Sequence, residues 1–333
     1  MLRNVAFIGV FAGLAIILCL VIWQGVDPIV DAFEALGIGI FLLLPVYLLY
    51  LIMGVVSWRL LFIPGHEPPF TVALNANWIG SSVNTLLPVS SIGGEAVKAR
   101  LLALAGIEVA EASGSVVGDT TVQAISLALW GLIGVALLAA IGTDQNIISA
   151  AAGAAVLFCL SVAVFVLLQR RGLFGIIARM LRQHSQNCED LSGRWASGLL
   201  AFDVHVREIY ERPVRVVFST GIRLASRIIL TAEIWLAAWL IGSPITIFEA
   251  IMIRSLAGAI RGAAFFIPNG LGVQEGAYIV FGAVIGLPPD FSLSLSLAVR
   301  AREILSSIPG LIVWQGIEGQ SLRRLLGNFG KRH

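Results

Sequence analysis

Pro88-Val89-Ser90-Ser91-Ile92-Gly93-Gly94-Glu95 and Pro268-Asn269-Gly270-Leu271-Gly272-Val273-Gln274-Glu275 are the two stretches on which the reading of this chain turns. Each runs from a proline to a glutamate and then on to Gly106-Ile107 or Gly286-Leu287, at a constant offset of 180 residues. Both lie inside or beside apolar sequence, where a proline and a glutamate are poor lipid-facing residues. Broken backbone at membrane depth is tolerated only where protein or a water-filled cavity surrounds it. Two breaks in register therefore predict an internal repeat whose interrupted helices meet in a protein-lined cavity, the plan of a transporter. The identities inside the repeat are few, namely Pro, Glu, Ala103/Ala283 and Gly, so spacing carries the inference.

Composition sets the class. With 58% hydrophobic and 13% charged residues and a mean hydropathy of +0.91, the chain has more apolar surface than a soluble core can hide. It reads as an all-α integral membrane protein, because its apolar runs are long enough to cross as helices and lack the alternation of a β-barrel. Apolar spans fall at about 5–23, 38–57, 112–141, 147–169, 216–241 and 291–315, and two further apolar pairs, 72–87/93–106 and 247–267/270–286, are interrupted at Pro88 and Pro268. The expectation is about six spanning helices plus two re-entrant, broken-helix hairpins. Two full spans per pair would leave the same end orientation, so parity does not separate the two. The first run lacks a small-x-small cleavage site after it and reads as a retained anchor helix.

Charge orients the chain. Arg170, Arg171, Arg179, Arg182, Arg194, Arg207, Arg212 and Arg215 crowd one connection, whereas Gly142 to Asn146 and Gly242 to Pro244 carry no basic residue. By the positive-inside rule the basic connection is cytoplasmic, as are the N-terminus, the 59–71 connection and the tail with Arg323, Arg324, Lys331 and Arg332. Threaded this way, the halves are inverted. The expected organisation is a first membrane repeat over 1–141 with hairpin 72–106, and a second over 147–315 with hairpin 247–286. The second contains a cytoplasmic amphipathic insertion at 170–215, and a basic tail follows at 316–333. The insertion, with Leu173, Phe174, Ile177, Met180 and Leu181 against Arg170, Arg179 and Arg182, reads as a helix on the membrane surface.

The candidate substrate-binding residues are those that are expensive to bury. Glu95 and Glu275 each follow a glycine-rich break and fall near a helix start, where free N–H groups and a partial positive charge await an anion. Each could merely cap its own helix, but within a membrane a carboxylate needs a partner or water. Arg254 and Arg261 share one face of the second hairpin's first arm, and Arg300, Arg302 and Glu303 lie partway into the last span. An excess of guanidinium suits an anionic headgroup, while internal Arg–Glu pairing is the competing reading. Arg223 and Arg227 are read as snorkelling to the cytoplasmic surface. In the first half Asn84 and Asp119 join the candidates, Asp119 with Lys98 or Arg100 as alternative partners. Pro88, Gly93, Gly94, Pro268, Gly270 and Gly272 are the hairpin breaks. Cys19, Cys159 and Cys188 are scattered and His66, His184, His205 and His333 lie in connections or the tail, so neither a disulfide framework nor a metal site is expected. A GxxxxGK[ST] loop is also absent from the sequence.

Taken together, Asn84-x3-Pro88-x4-Gly93-Gly94-Glu95-x2-Lys98-Ala99-Arg100, Asp119, Ile267-Pro268-x3-Gly272-Val273-Gln274-Glu275-Gly276 and Arg300-Ala301-Arg302 resemble the flippase-like family that includes the transmembrane domain of lysylphosphatidylglycerol synthase. The second motif is similar to its hopanoid-associated branch. The resemblance implies lipid translocation in a bacterial inner membrane, with Glu95, Glu275, Asp119 and the late arginines as the family's polar positions. This chain departs from the pattern at Thr120, where a basic residue is expected. Bifunctional members append a soluble aminoacyl-transfer domain; this sequence reaches His333 soon after its last apolar run and is expected to lack one. The resulting expectation is a lipid transporter, not an enzyme, without cofactor or nucleic-acid partner. Its substrate would be an anionic phospholipid, a polyprenyl phosphate or a hopanoid, moved through an Arg/Glu-lined cavity. The alternatives are a scaffold for lipid-synthesis enzymes or an intramembrane lipid transferase.

Overall fold

The computed structural model describes residues 36–87, 93–142, 144–173, 201–264 and 267–329, with single residues at 30, 34, 175 and 176. The described chain is helical, with no strand among the described residues. A 3-10 stretch, Gly37–Leu42, leads into α1 (Leu43–Arg59). Next come α2 (Phe70–Leu86), α3 (Gly93–Leu104), α4 (Val109–Ala140) and α5 (Gln145–Arg170). The second half consists of α6 (Pro213–Leu240), α7 (Ile247–Ala263), α8 (Val273–Val284) and α9 (Pro289–Phe329).

Local signals explain these boundaries. Pro213 occupies the first turn of α6, where its missing N–H is no loss. Thr246 and Glu249 form a capping box at the start of α7. Gly106, Gly142, Gly242 and Gly286 take positive φ immediately after α3, α4, α6 and α8, as a helix stop requires. Three stretches, Gly37–Arg59, Val109–Ala140 and Gln145–Arg170, are long and apolar enough to cross a membrane. The multi-helix apolar architecture is that of an integral membrane protein. α5 has only Gln169 buried, and Val156, Leu157, Leu160 and Val164 face outward, as suits a helix bathed in acyl chains. α6 and α9 are also long, at 28 and 41 residues, but carry ionised side chains that turn inward.

The two halves repeat one plan. α2 and α7 are each 17 residues long, and α3 and α8 are each 12. At 1.5 Å per residue a 12-residue helix rises about 18 Å, well short of a hydrocarbon core about 30 Å thick. α2 packs on α3 and α7 packs on α8, so each pair is a hairpin of broken helix. Contacts also exchange between halves: α4 packs on α7, and α2 packs on α9. The sense of the repeat follows from α1 and α6. Ser57 meets Ser219, Gly54 meets Arg223 and Gly39 meets Leu240, so these corresponding helices run antiparallel. α4 and α7, which are not counterparts in the repeat, pack with Gly131 against Ala259 and Gly134 against Ser255. Equivalent helices with opposite directions make the repeat an inverted one.

The hairpins begin and end within two residues of the sequence limits, at 70–104 and 247–284. The tail from 316 does not separate from the last helix, because α9 continues to Phe329. The first apolar run at 5–23, Pro88 and most of the 170–215 insertion lie outside the described residues; within the insertion, 201–210 is helical. Two apolar clusters hold the body together, one around Trp58, Ile79 and Leu102 and the other around Met252, Tyr278 and Leu295.

Candidate functional site

In the second half the break is held open by side chains. Asn269 adopts φ 52°, and Gly270 and Gly272 take φ 59° and 77°, so the chain turns through left-handed conformations. Helix interruption leaves carbonyls without N–H partners, and inside a membrane these need substitutes. Arg300 supplies them: Nη1 donates to the Asn269 carbonyl at 2.8 Å and Nη2 to the Gly270 carbonyl at 3.0 Å. Its Nε donates to Glu275 Oε1 at 2.8 Å, and Nη1 also reaches Glu303 Oε2 at 3.2 Å. Arg261 grips the same segment, donating to Gln274 Oε1 at 2.6 Å, to Glu303 Oε1 at 2.9 Å and to Asn269 Oδ1. Glu275 is thus wholly enclosed, a brace for the guanidinium that completes the broken backbone.

The first break is built from smaller parts. Asn84 Oδ1 accepts the Gly94 N–H at 2.8 Å, and Gly94 lies so close to the Gly80 carbonyl that a Cβ would collide with backbone. Gly94→Ala is therefore expected to destabilise the protein by about 1–3 kcal/mol, as overpacking does. A lowered thermal midpoint in detergent would register it; an unchanged one would show that the two arms can separate there. Glu95 pairs with Lys98 Nζ at 3.1 Å and keeps a fifth of its side chain exposed. Lys98 Nζ also lies 3.8 Å from Asp119 Oδ2, whose other oxygen accepts Arg223 Nη2 at 2.5 Å. Arg100 is not the partner of Asp119; it makes a bidentate pair with Glu318 at 2.5 and 2.9 Å on the exposed end of the bundle. Hydrogen bonds from Arg100 hold the Glu318 carboxyl below its ordinary range, so that tie persists at all pH above that range and is lost only in acid.

Between the halves lies a cavity of about 340 Å³, within the range of ligand pockets. Its wall takes Asn77, Ser81, Asn84, Glu95 and Lys98 from the first hairpin, and Arg254, Arg261, Asn269 and Gln274 from the second. α1 adds Tyr47 and Tyr50, α6 adds Arg223 and Arg227, and α9 adds Arg302 and Glu303. Because α2 and α7 are equal in length, Asn77 and Asn84 occupy the positions of Arg254 and Arg261. The repeat is symmetric in backbone and places amides on one side of the cavity and guanidinium groups on the other.

The ion pairs divide the charge unevenly. Glu95 and Asp119 balance Lys98 and Arg223, and Glu275 and Glu303 balance Arg300 and Arg261. Arg302 and Arg254 share the single carboxylate of Glu233, Arg302 at 2.5 and 2.9 Å and Arg254 at 3.3 Å. Arg227 forms no ion pair among the described residues; it donates to Ser126 Oγ and the Gln123 carbonyl, both at 3.1 Å. Arg–Glu pairing and an arginine excess therefore coexist, with two positive charges left over among the described residues of the cavity.

Of the residues picked from sequence, Glu95, Asn84, Arg254, Arg261 and Arg302 line the cavity, as do Gly270 among the breaks and, beside it, Asn269. Glu275, Arg300 and Asp119 stand behind the wall as counter-ions. Gly93 and Gly94 open α3, and Gly272 precedes α8. The snorkelling reading of Arg223 and Arg227 is corrected: Arg223 is 3% exposed and bound to Asp119, and Arg227 faces the cavity. Its signal was legible in Ser219, Arg223, Ser226 and Glu233, which recur at helical spacing and mark an internal stripe. The missing base after Asp119 is also explained. Thr120 corresponds to Arg300, and Lys98 on the neighbouring turn supplies the charge that Glu95 would otherwise lack.

Three comparisons bear on this geometry. A family model described as "Lysylphosphatidylglycerol synthase TM region" matches residues 10–310. A "UPF0104 membrane protein" of Methanothermobacter thermautotrophicus is 25% identical over 238 residues, covering 67% of this chain and 68% of the relative. No solved structure matches the chain.

Proposed function

This chain belongs to the lysylphosphatidylglycerol synthase transmembrane-region family, and from that premise we propose that it translocates a polar-headed lipid across the membrane without altering it chemically. The observation that carries the reading is the cavity itself: two inverted broken hairpins enclose an arginine-rich chamber inside a bundle whose outer face is apolar. A headgroup crosses through that chamber while its tail stays in the bilayer. Inverted repeats with broken helices supply the symmetry needed for a site open alternately to either side. The distribution of arginine favours cytoplasmic termini and a cytoplasmic 170–215 insertion.

The test is flux. The purified protein in phosphatidylcholine vesicles, loaded with tail-labelled phospholipids, is expected to expose inner-leaflet probe to an impermeant quencher faster than empty vesicles do. Absence of any excess flux for anionic, zwitterionic and cationic headgroups alike would overturn the proposal. Chemical conversion of the labelled lipid, read in the same samples by mass spectrometry, would instead make the protein a transferase.

A further inference from the structure

Resting on that translocation reading, we infer that the headgroup taken by this cavity is a phosphomonoester, whose dianion is held between Arg227 and Arg254. Buried ions must be balanced, because the low dielectric that strengthens a pair also penalises an unpaired charge. Among the described residues the carboxylates around the cavity fall two short, and the shortfall is local. Arg227 has its Nε and Nη2 fixed by Ser126 and the Gln123 carbonyl, contacts that orient the guanidinium without neutralising it. Arg254 lies 3.3 Å from a Glu233 oxygen that Arg302 already holds at 2.9 Å, and its own Nη1 reaches only the Tyr278 hydroxyl, at 3.4 Å. Both guanidinium groups line the cavity.

A phosphomonoester brings close to two negative charges and three acceptor oxygens, enough for both arginines. A phosphodiester brings one charge and leaves one cation uncompensated. A zwitterionic headgroup brings no net charge. Pro88 to Ile92, between α2 and α3, contains no acidic residue.

The probes are dioleoyl phosphatidate, dioleoyl phosphatidylglycerol and inorganic phosphate, added to the full chain in phosphatidylcholine nanodiscs at pH 8. Binding is read from tryptophan fluorescence, Trp130 being in the cavity wall. The monoester lipid is expected to bind at least about tenfold tighter than the diester, the worth of one charge-assisted hydrogen bond. Arg227→Gln is expected to bring the two to near parity, and Arg227→Lys to keep the preference. Equal binding of the two lipids by the wild type, or an undiminished preference in Arg227→Gln, would overturn the inference. Competition by millimolar inorganic phosphate, together with its uptake into vesicles, would make the free ion the ligand and overturn the lipid assignment. Flux separates the two levels. If the diester lipid crosses as fast as the monoester, translocation stands and this inference fails; if phosphatidate binds selectively but no lipid crosses, translocation fails.

Discussion

Glu233→Gln is expected to lower stability by about 3–5 kcal/mol, the cost of breaking a buried ion pair by removing one partner. Glu233 is wholly buried and is the only carboxylate that Arg302 and Arg254 reach among the described residues. Arg302 is 2% exposed and sits 4.4 Å over the Tyr47 ring, so loss of the charge leaves its guanidinium buried without a counter-ion. Arg254, with 15% of its side chain exposed, is better placed to recruit solvent. The effect is checked by thermal unfolding in detergent, and by the double variant Glu233→Gln/Arg302→Met. Removing both members of a buried pair is often close to neutral, so the double variant should regain most of the loss. A midpoint for Glu233→Gln within about 2 °C of wild type would show that water already reaches the pair.

The sequence was most informative where a single physical rule dominates. Hydrocarbon thickness and backbone hydrogen bonding decide helix against break, so the hairpins were legible to within two residues at their outer limits. The inverted sense was expected from the distribution of arginine, and it reappears in the opposed packing of Ser57 with Ser219 and Gly39 with Leu240. Side-chain roles were less legible, because they depend on which helix faces which. An arginine at 223 reads as a surface anchor until α1 brings Gly54 against it and α4 brings Asp119 within hydrogen-bonding distance. Glu233 counts in sequence only as one of the late glutamates facing the arginines, since its partners Arg254 and Arg302 stand on two other helices. Glu95 and Glu275 looked equivalent because spacing records the backbone repeat; it does not record that Arg300 exists in only one copy.

That difference sets the second large effect. Glu95→Gln is expected to reduce lipid flux by more than about tenfold while leaving the thermal midpoint near wild type, and Glu275→Gln is expected to do the reverse at first cause, by unfolding. Glu95 lines the cavity and pairs with Lys98, the one cation on the first hairpin's side of the chamber. On the proposed translocation, an arriving anionic headgroup would replace Glu95 at Lys98, and Glu95 would displace the headgroup as it leaves. Passage requires a site that binds well enough to admit and weakly enough to release. Without the carboxylate, Lys98 keeps Asp119 at 3.8 Å and holds the headgroup longer, so affinity should rise as flux falls. Glu275 has no such access. Its loss frees Arg300 from the position in which it satisfies the Asn269 and Gly270 carbonyls, and a second change at Arg300 would leave those carbonyls bare. Glu275→Gln/Arg300→Met should therefore fail to recover stability, unlike the corresponding double variant at Glu233 and Arg302. Wild-type flux from Glu95→Gln would remove the exchange step, and recovery of the Glu275/Arg300 double variant would show that the break finds its hydrogen bonds elsewhere.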